Sequence, residues 1–175
     1  MTDLDPKTLS AQAAQVYQEG DFENAARLFG EAAYAFQAQG GTVAAAEMKN
    51  NQSVALLQAG NAQASFDAVR GTAEVFAAAG DFRRQGMALS NEAAALEALG
   101  RFDEAAQNYR QAADMLEKAG EDQLRAAVMQ ALAGIQLRKG KVMDSVLSMQ
   151  IGLMGLKQPT FKQKILRGLL RLRTW

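Results

Sequence analysis

Between residues 22 and 36 the apolar positions Phe22, Ala25, Ala26, Phe29, Ala32, Ala33 and Phe36 recur at intervals of three and four. That spacing puts them on one face of an α-helix and leaves the intervening polar residues on the other. The same stripe returns further along the chain. Phe22 is matched by Ala62, Phe102 and Val142, and Ala25 by Ser65, Ala105 and Ser145. Phe29 is matched by Val69, Tyr109 and Met149, Ala32 by Thr72, Ala112 and Gly152, and Phe36 by Phe76, Leu116 and Leu156. Positions that hold a small residue once hold a small residue every time, and the filler positions are nearly always large. A second helical pattern precedes each stripe and carries its own small residue, Ala13, Ser53, Ala93 or Ala133.

Glycine punctuates the patterns. Gly20, Gly60, Gly100 and Gly140 fall in register, as do Gly40, Gly80 and Gly120. A glycine just past a helix supplies the left-handed residue that ends it cheaply. Asp21 can cap the helix after Gly20, while Asp5 and Pro6 suit the start of the first helix. The stretch from Asp81 to Gly120 overlays the chain when slid by forty residues in either direction. Self-similarity at such a period is the mark of a solenoid of helix hairpins. No alternating run of β-branched residues occurs, so the chain reads as all-helical. The units fall at about 7–40, 41–80, 81–120 and 121–158. Pro159 then breaks the chain before a basic amphipathic segment, 159–175. The fourth unit is the least regular: Gly134 is expected to interrupt its first helix, and Met129, Met143, Met149 and Met154 gather in it.

Composition narrows the function. The chain has neither cysteine nor histidine, which removes disulfides, thiolate or imidazole metal ligands and the usual nucleophile–base pairs. The neighbouring acids Asp103-Glu104 and Glu121-Asp122 point about 100° apart on a helix, and both stand near helix starts where acids favour the dipole. With no phosphate-binding loop and no base in sight, no catalytic residue, metal or cofactor is expected. The opening MTDLDPKTLS is polar and acidic and does not read as a secretory signal, and no apolar run reaches the roughly 20 residues of a membrane span. A cytoplasmic protein is therefore expected. Lys+Arg and Asp+Glu are both 19, but the last acid is Asp144 and six cations follow it. Residues 1–144 thus hold 13 cations against 19 acids, an acidic body with a basic tail that argues against nucleic acid as a partner.

The pattern Gly20-Asp21-Phe22…Ala25…Phe29…Ala32, repeated as Gly100-Arg101-Phe102…Ala105…Tyr109…Ala112, resembles the second helix of a tetratricopeptide repeat (TPR). The small residues Ala13, Ser53, Ala93 and Ala133 match the family's small residue in the first helix, and the resemblance covers about residues 7–158. It implies an α-solenoid of four antiparallel helix hairpins wound as a right-handed superhelix, with 159–175 as a C-terminal capping helix. The units depart from the common form: they are forty residues rather than about 34, and Gln37, Ala77, Glu117 and Lys157 stand where a late proline is usual. Forty-residue units are similar to those of G-protein-regulator scaffolds that grip extended peptides.

The resemblance places the first helices on the concave side and implies a peptide groove formed by Glu47, Asn50, Asn51, Val54, Met87, Ser90, Asn91 and Gln130. Asn51 and Asn91 occupy equivalent places, and an amide offers both a donor and an acceptor to the backbone of an extended peptide. Family members that clamp chaperone C-termini use cations beside the asparagine; here the matching places hold Ser10, Ala14, Met87 and Asn91, so that role is not expected. The leading expectation is a non-enzymatic interaction scaffold for a protein or peptide partner. The alternative is a peripheral membrane adaptor using the tail. In that tail Phe161, Ile165, Leu169 and Leu172 share one face, expected to pack on unit four, while Lys164, Arg167 and Arg171 share another, free to meet an anionic surface. The sequence leaves oligomeric state open.

Overall fold

The computed structural model describes residues 5–171, and the described residues form ten helices. They are α1 (Pro6–Gln18), α2 (Phe22–Ala38), α3 (Thr42–Gln58), α4 (Ala62–Val69), α5 (Thr72–Ala78), α6 (Phe82–Ala98), α7 (Phe102–Lys118), α8 (Asp122–Arg138), α9 (Val142–Met154) and α10 (Phe161–Arg171). Consecutive helices pack as hairpins, α1 with α2, α3 with α4 and α5, α6 with α7, and α8 with α9, and each hairpin stacks on the next. No strand is present among the described residues. The result is the α-solenoid of four hairpins and a final helix that the forty-residue period predicts.

The turns at Gly20, Gly40, Gly60, Gly80, Gly100, Gly120 and Gly140 share one local chemistry. Gly60, with φ +80°, donates its N–H to Leu57 O at 3.0 Å, and Asn61 N–H reaches back to Leu56 O at 2.9 Å. This is the paired closure that satisfies the last carbonyls of a helix and needs a left-handed residue at the glycine. Asn61 then caps the following helix, its Oδ1 accepting from Ala64 N–H at 3.1 Å. Asp5, Asp21 and Asp81 cap in the same way, the first ahead of Pro6.

The hairpins close on small residues. Ala13 and Ala25, and Ala93 and Ala105, have no exposed surface. In the second hairpin the equivalent pair is Ser53 and Ser65, also buried, with their hydroxyls 3.0 Å apart and Ser65 Oγ donating to Ser53 O at 2.9 Å. In the fourth hairpin the equivalent pair, Ala133 and Ser145, is also buried, and α9 makes a further close approach to α8 at Gly152, where a Cβ would lie 2.8 Å from Met129 Cβ. Around these contacts the large fillers Phe29, Phe76, Tyr109, Leu116, Leu132 and Ile135 form the core. The buried residues fall into three clusters, each shared by adjacent units: one from α1 to α3, one from α3 to α8, and one joining α8, α9 and α10.

Two local features differ from the sequence reading. The apolar stripe from Ala62 to Phe76 is continuous in sequence, yet the helix breaks between α4 and α5. Arg70 turns extended (φ −55°, ψ 128°), Gly71 is left-handed (φ +85°), and Thr72 Oγ1 donates to Val69 O at 2.7 Å. Gly71 permits the turn and Thr72 satisfies a carbonyl that the break releases. The buried side chains Val69, Thr72 and Phe76 keep the stripe facing the core across the interruption. Conversely, α8 does not stop at Gly134. That glycine is exposed, its neighbours Leu132, Ala133, Ile135 and Gln136 are all buried, and packing on both sides holds the helix through the weak point.

Glu92 on α6 lies beside this break. It is half-buried; burial and the nearby carboxylate of Glu74 raise its pKa, against the pull of Arg70 and a hydrogen bond from Asn108. The equivalent residue one repeat earlier is Gln52, which packs against Gly30.

Two measurements test these contacts. The double variant Ser53→Ala/Ser65→Ala recreates the alanine pair of the neighbouring hairpins and is expected to be nearly neutral in urea unfolding. Ser65→Leu, which overfills the crossing, is expected to cost about 1–3 kcal/mol. For Glu92, the ionised form is the disfavoured one. Glu92→Gln should therefore raise the melting temperature at neutral pH, with the gain fading as pH falls through the raised pKa and gone below the ordinary 4.5. A gain independent of pH would contradict it.

Candidate functional site

The first helices of the hairpins are α1, α3, α6 and α8, and polar side chains bridge one to the next. Asn91 of α6 donates from Nδ2 to Asn50 Oδ1 of α3 at 3.0 Å. Arg84 of α6 donates from Nη1 to Glu47 Oε2 at 3.0 Å, while its Nε bonds Asp81 at 2.7 Å and its guanidinium sits 5.2 Å from the Phe76 ring centroid. Arg138 of α8 pairs with Glu97 of α6 at 3.0 Å, and Glu97 also accepts from Tyr109 OH at 3.2 Å. Burial and the Glu97 carboxylate push the Tyr109 phenol above its ordinary pKa, which keeps it a donor. Three polar crossbars thus join α3 to α6 and α6 to α8.

The eight residues expected to line a groove fall into distinct environments. Asn50 is buried at 6% exposure and serves Asn91. Asn51, Val54, Met87 and Asn91 are half-buried, Glu47 is half-buried and paired with Arg84, and Gln130 is exposed. Ser90 is half-buried and its hydroxyl donates to Met87 O within its own helix, at 2.8 Å. The Asn91 amide is therefore held by one N–H, with its oxygen and second N–H left for other partners. Asn51 stands at the equivalent place one repeat earlier.

Arg84, Glu97 and Arg138 as crossbar partners are not evident from register alone. The sequence signal is nonetheless there. Asn50 to Asn91 and Glu97 to Arg138 are each one repeat plus one residue, and Glu47 to Arg84 is one repeat less three. On a helix, offsets of one and minus three differ by about one turn. Complementary polar residues at these offsets face each other between adjacent units.

The fourth unit has a second surface of note. At the exposed outer positions of the second helices, α2 carries Glu23, Arg27 and Glu31, and α7 carries Asp103, Gln107 and Gln111. In α9 the same places hold Met143, Leu147 and Ile151, at 77%, 55% and 37% exposure. A concavity of about 450 Å³ opens between α7, α8 and α9, lined in part by Arg110, Asp114, Arg125, Leu147 and Ile151. Of the tail cations, Lys164 is exposed. Arg167 is turned inward instead, half-buried with a buried Nε, and the side chain of Arg171 lies outside the described residues.

No family model matches the chain, and no curated protein matches it. Among solved structures it is similar to a candidate kinesin light chain from Podosopora anserina with nearly identical TPR-like repeats. The TM-score is 0.74 at 14% identity, over 95% of this chain and 85% of that one. A variant form of that protein matches with a TM-score of 0.70 at 15% identity, over 95% and 92% of the two chains. The chain has the fold of a TPR-like helical-repeat protein.

The Asn50–Asn91 bond has a thermodynamic signature. Asn91→Ala leaves the buried Asn50 amide oxygen without its donor and is expected to cost about 1–3 kcal/mol. Adding Asn50→Ala removes the orphaned group, so the double variant should lose less than the two single losses combined. A double-mutant cycle by urea unfolding measures this, and additive losses would contradict it.

Proposed function

We propose that the chain is a non-enzymatic, cytoplasmic interaction scaffold that holds an extended peptide segment of a protein partner along its first helices. The observation that carries this reading is the state of Asn91. A half-exposed amide fixed by a buried partner has already lost its rotamer freedom, so a ligand does not have to order it. Asn51 repeats that amide one unit earlier, at the spacing that would let two amides engage one extended backbone. Val54 and Met87 supply apolar contact beside them, and methionine adapts to varied side chains. Glu47, Ser90 and Gln130 complete the proposed contact set, while Asn50 acts through Asn91 rather than by touching the peptide.

The absence of cysteine suits a reducing compartment, where thiols contribute no crosslinks. The acidic body disfavours nucleic acid as the groove's ligand. Membrane attachment through residues 160–175 is compatible with this reading, because the groove is formed by first helices and α10 follows the last second helix.

The test is selection from a library of displayed linear peptides on the full chain, followed by calorimetric titration of the selected sequence. Asn51→Ala/Asn91→Ala, checked for helicity, is expected to weaken binding about tenfold or more, the equivalent of one or two lost hydrogen bonds. Asn51→Ala alone gives the same direction without touching the Asn50–Asn91 bond. Unchanged affinity in both folded variants would overturn the groove assignment.

A further inference from the structure

The terminal helix α10 is built to present an apolar row outward. Its start is fixed by a capping box: Thr160 N–H donates to Gln163 Oε1 at 2.7 Å, and Gln163 N–H donates to Thr160 Oγ1 at 3.4 Å. Its inner face is committed to the array. Leu170, 9% exposed, joins Ala126, Leu153 and Leu156 in one cluster. Gln150 Nε2 donates to the Leu170 carbonyl at 3.0 Å, and Gln163 reaches Gln123 at 3.4 Å. Arg167 lies on this side too, with the apolar part of its side chain as packing.

At about 100° per residue, that inner face sits opposite Phe161, Ile165 and Leu169. Those three residues were expected to pack on unit four. They are instead 77%, 50% and 59% exposed. The expected partner Leu172 lies outside the described residues. The reversal has a packing cause: Leu170, aided by Leu166, Arg167 and Gln163, already fills the contact, so a second apolar face is left over. The helix therefore has apolar residues on both sides, and among the described residues only one side is packed.

The outward row is bordered by cations. Lys162 follows Leu169 by about 20° around the helix, and Lys164 precedes Phe161 by about 60°. Both lysines are exposed, and the sequence has no acid after Asp144 to oppose them. Among the described residues no helix is long and apolar enough to cross a membrane. An aromatic and two aliphatic side chains in a row with lysines on both flanks match a helix lying in the plane of an anionic bilayer, its apolar side at the acyl boundary and its ammonium groups at the phosphates.

We propose that α10 is a membrane-docking helix that inserts Phe161, Ile165 and Leu169 into the surface of an anionic lipid bilayer, with Lys162 and Lys164 pairing with headgroups. The array is then held at the membrane through the Leu170 contact, and the lipid site is separate from the peptide groove. This narrows the charged contact set: Lys164 belongs to it, Lys162 joins it, and Arg167 leaves it for the interior.

The experiment is co-sedimentation of the full chain with phosphatidylcholine vesicles, with and without phosphatidylserine. Binding is expected with phosphatidylserine, weak without it, and reduced by salt. Phe161→Ser/Ile165→Ser/Leu169→Ser should lose binding more than tenfold even at low salt, which a purely electrostatic contact would not. Lys162→Gln and Lys164→Gln should each lose about fivefold and only on the anionic vesicles. Because the row is solvent-facing, circular dichroism should be unchanged; Phe161→Ser alone keeps the test open if the triple variant loses helix. Failure of the wild type to sediment with anionic vesicles would overturn the proposal, as would equal binding by the triple variant. So would a wild-type dimer that the triple variant dissolves while neither binds lipid, since the row would then join two copies of the chain.

Discussion

The close crossing of paired helices at small residues is the constraint on which the molecule depends. Ala13 against Ala25, Ser53 against Ser65, and Ala93 against Ala105 let two backbones approach, and the fillers on either side have shapes that fit only that separation. A larger residue at any crossing would push one hairpin open. Each hairpin stacks on the next, so the displacement would reach the following unit as well. The serine pair shows how the constraint tolerates chemistry: two hydroxyls fit where two methyls fit, provided they bond each other and the backbone.

Stacking is reinforced by polar contacts of uneven worth. Arg83–Glu121 and Lys139–Asp103 join neighbouring units, but each has at least one largely exposed partner, and such pairs are worth little individually. The Asn50–Asn91 bond differs because Asn50 is buried. An unsatisfied amide there has no water to turn to, so the bond sets the relation between α3 and α6 more firmly than the ion pairs around it. The same bond fixes Asn91, the amide at the centre of the proposed peptide contact, so stability and the proposed recognition would share a single contact.

The fourth hairpin and α10 depart from the pattern in one consistent way. Positions that are charged or polar in earlier second helices become Met143, Leu147 and Ile151, and the last helix turns Phe161, Ile165 and Leu169 to solvent. The end of the array thus exposes apolar surface where its earlier units expose charge. Large exposed apolar patches of this kind mark interaction surfaces, and the lysines beside the α10 row are what support reading it as a lipid-facing one.

The recurrence of small and large residues at intervals of three and four, with glycine between, was enough to specify helix, hairpin and forty-residue stacking. Such patterns are local, and only one packing buries every stripe at once. Equivalent places on successive first helices were also legible, since register carries over from unit to unit. Their roles were not. Whether Asn50 faces a ligand or its neighbour depends on where Asn91 arrives across the gap between α3 and α6, and that is set by how hairpins tilt against each other. The break at Arg70–Gly71 likewise depends on the packing around it, because Gly71 permits a left-handed turn without requiring one. In α10, periodicity pointed to the Phe161, Ile165 and Leu169 face as the packed one, and the tertiary contact reversed it. Leu170 made the choice by fitting beside Leu153 and Leu156, and that contact between distant parts of the chain is what leaves Phe161, Ile165 and Leu169 facing out.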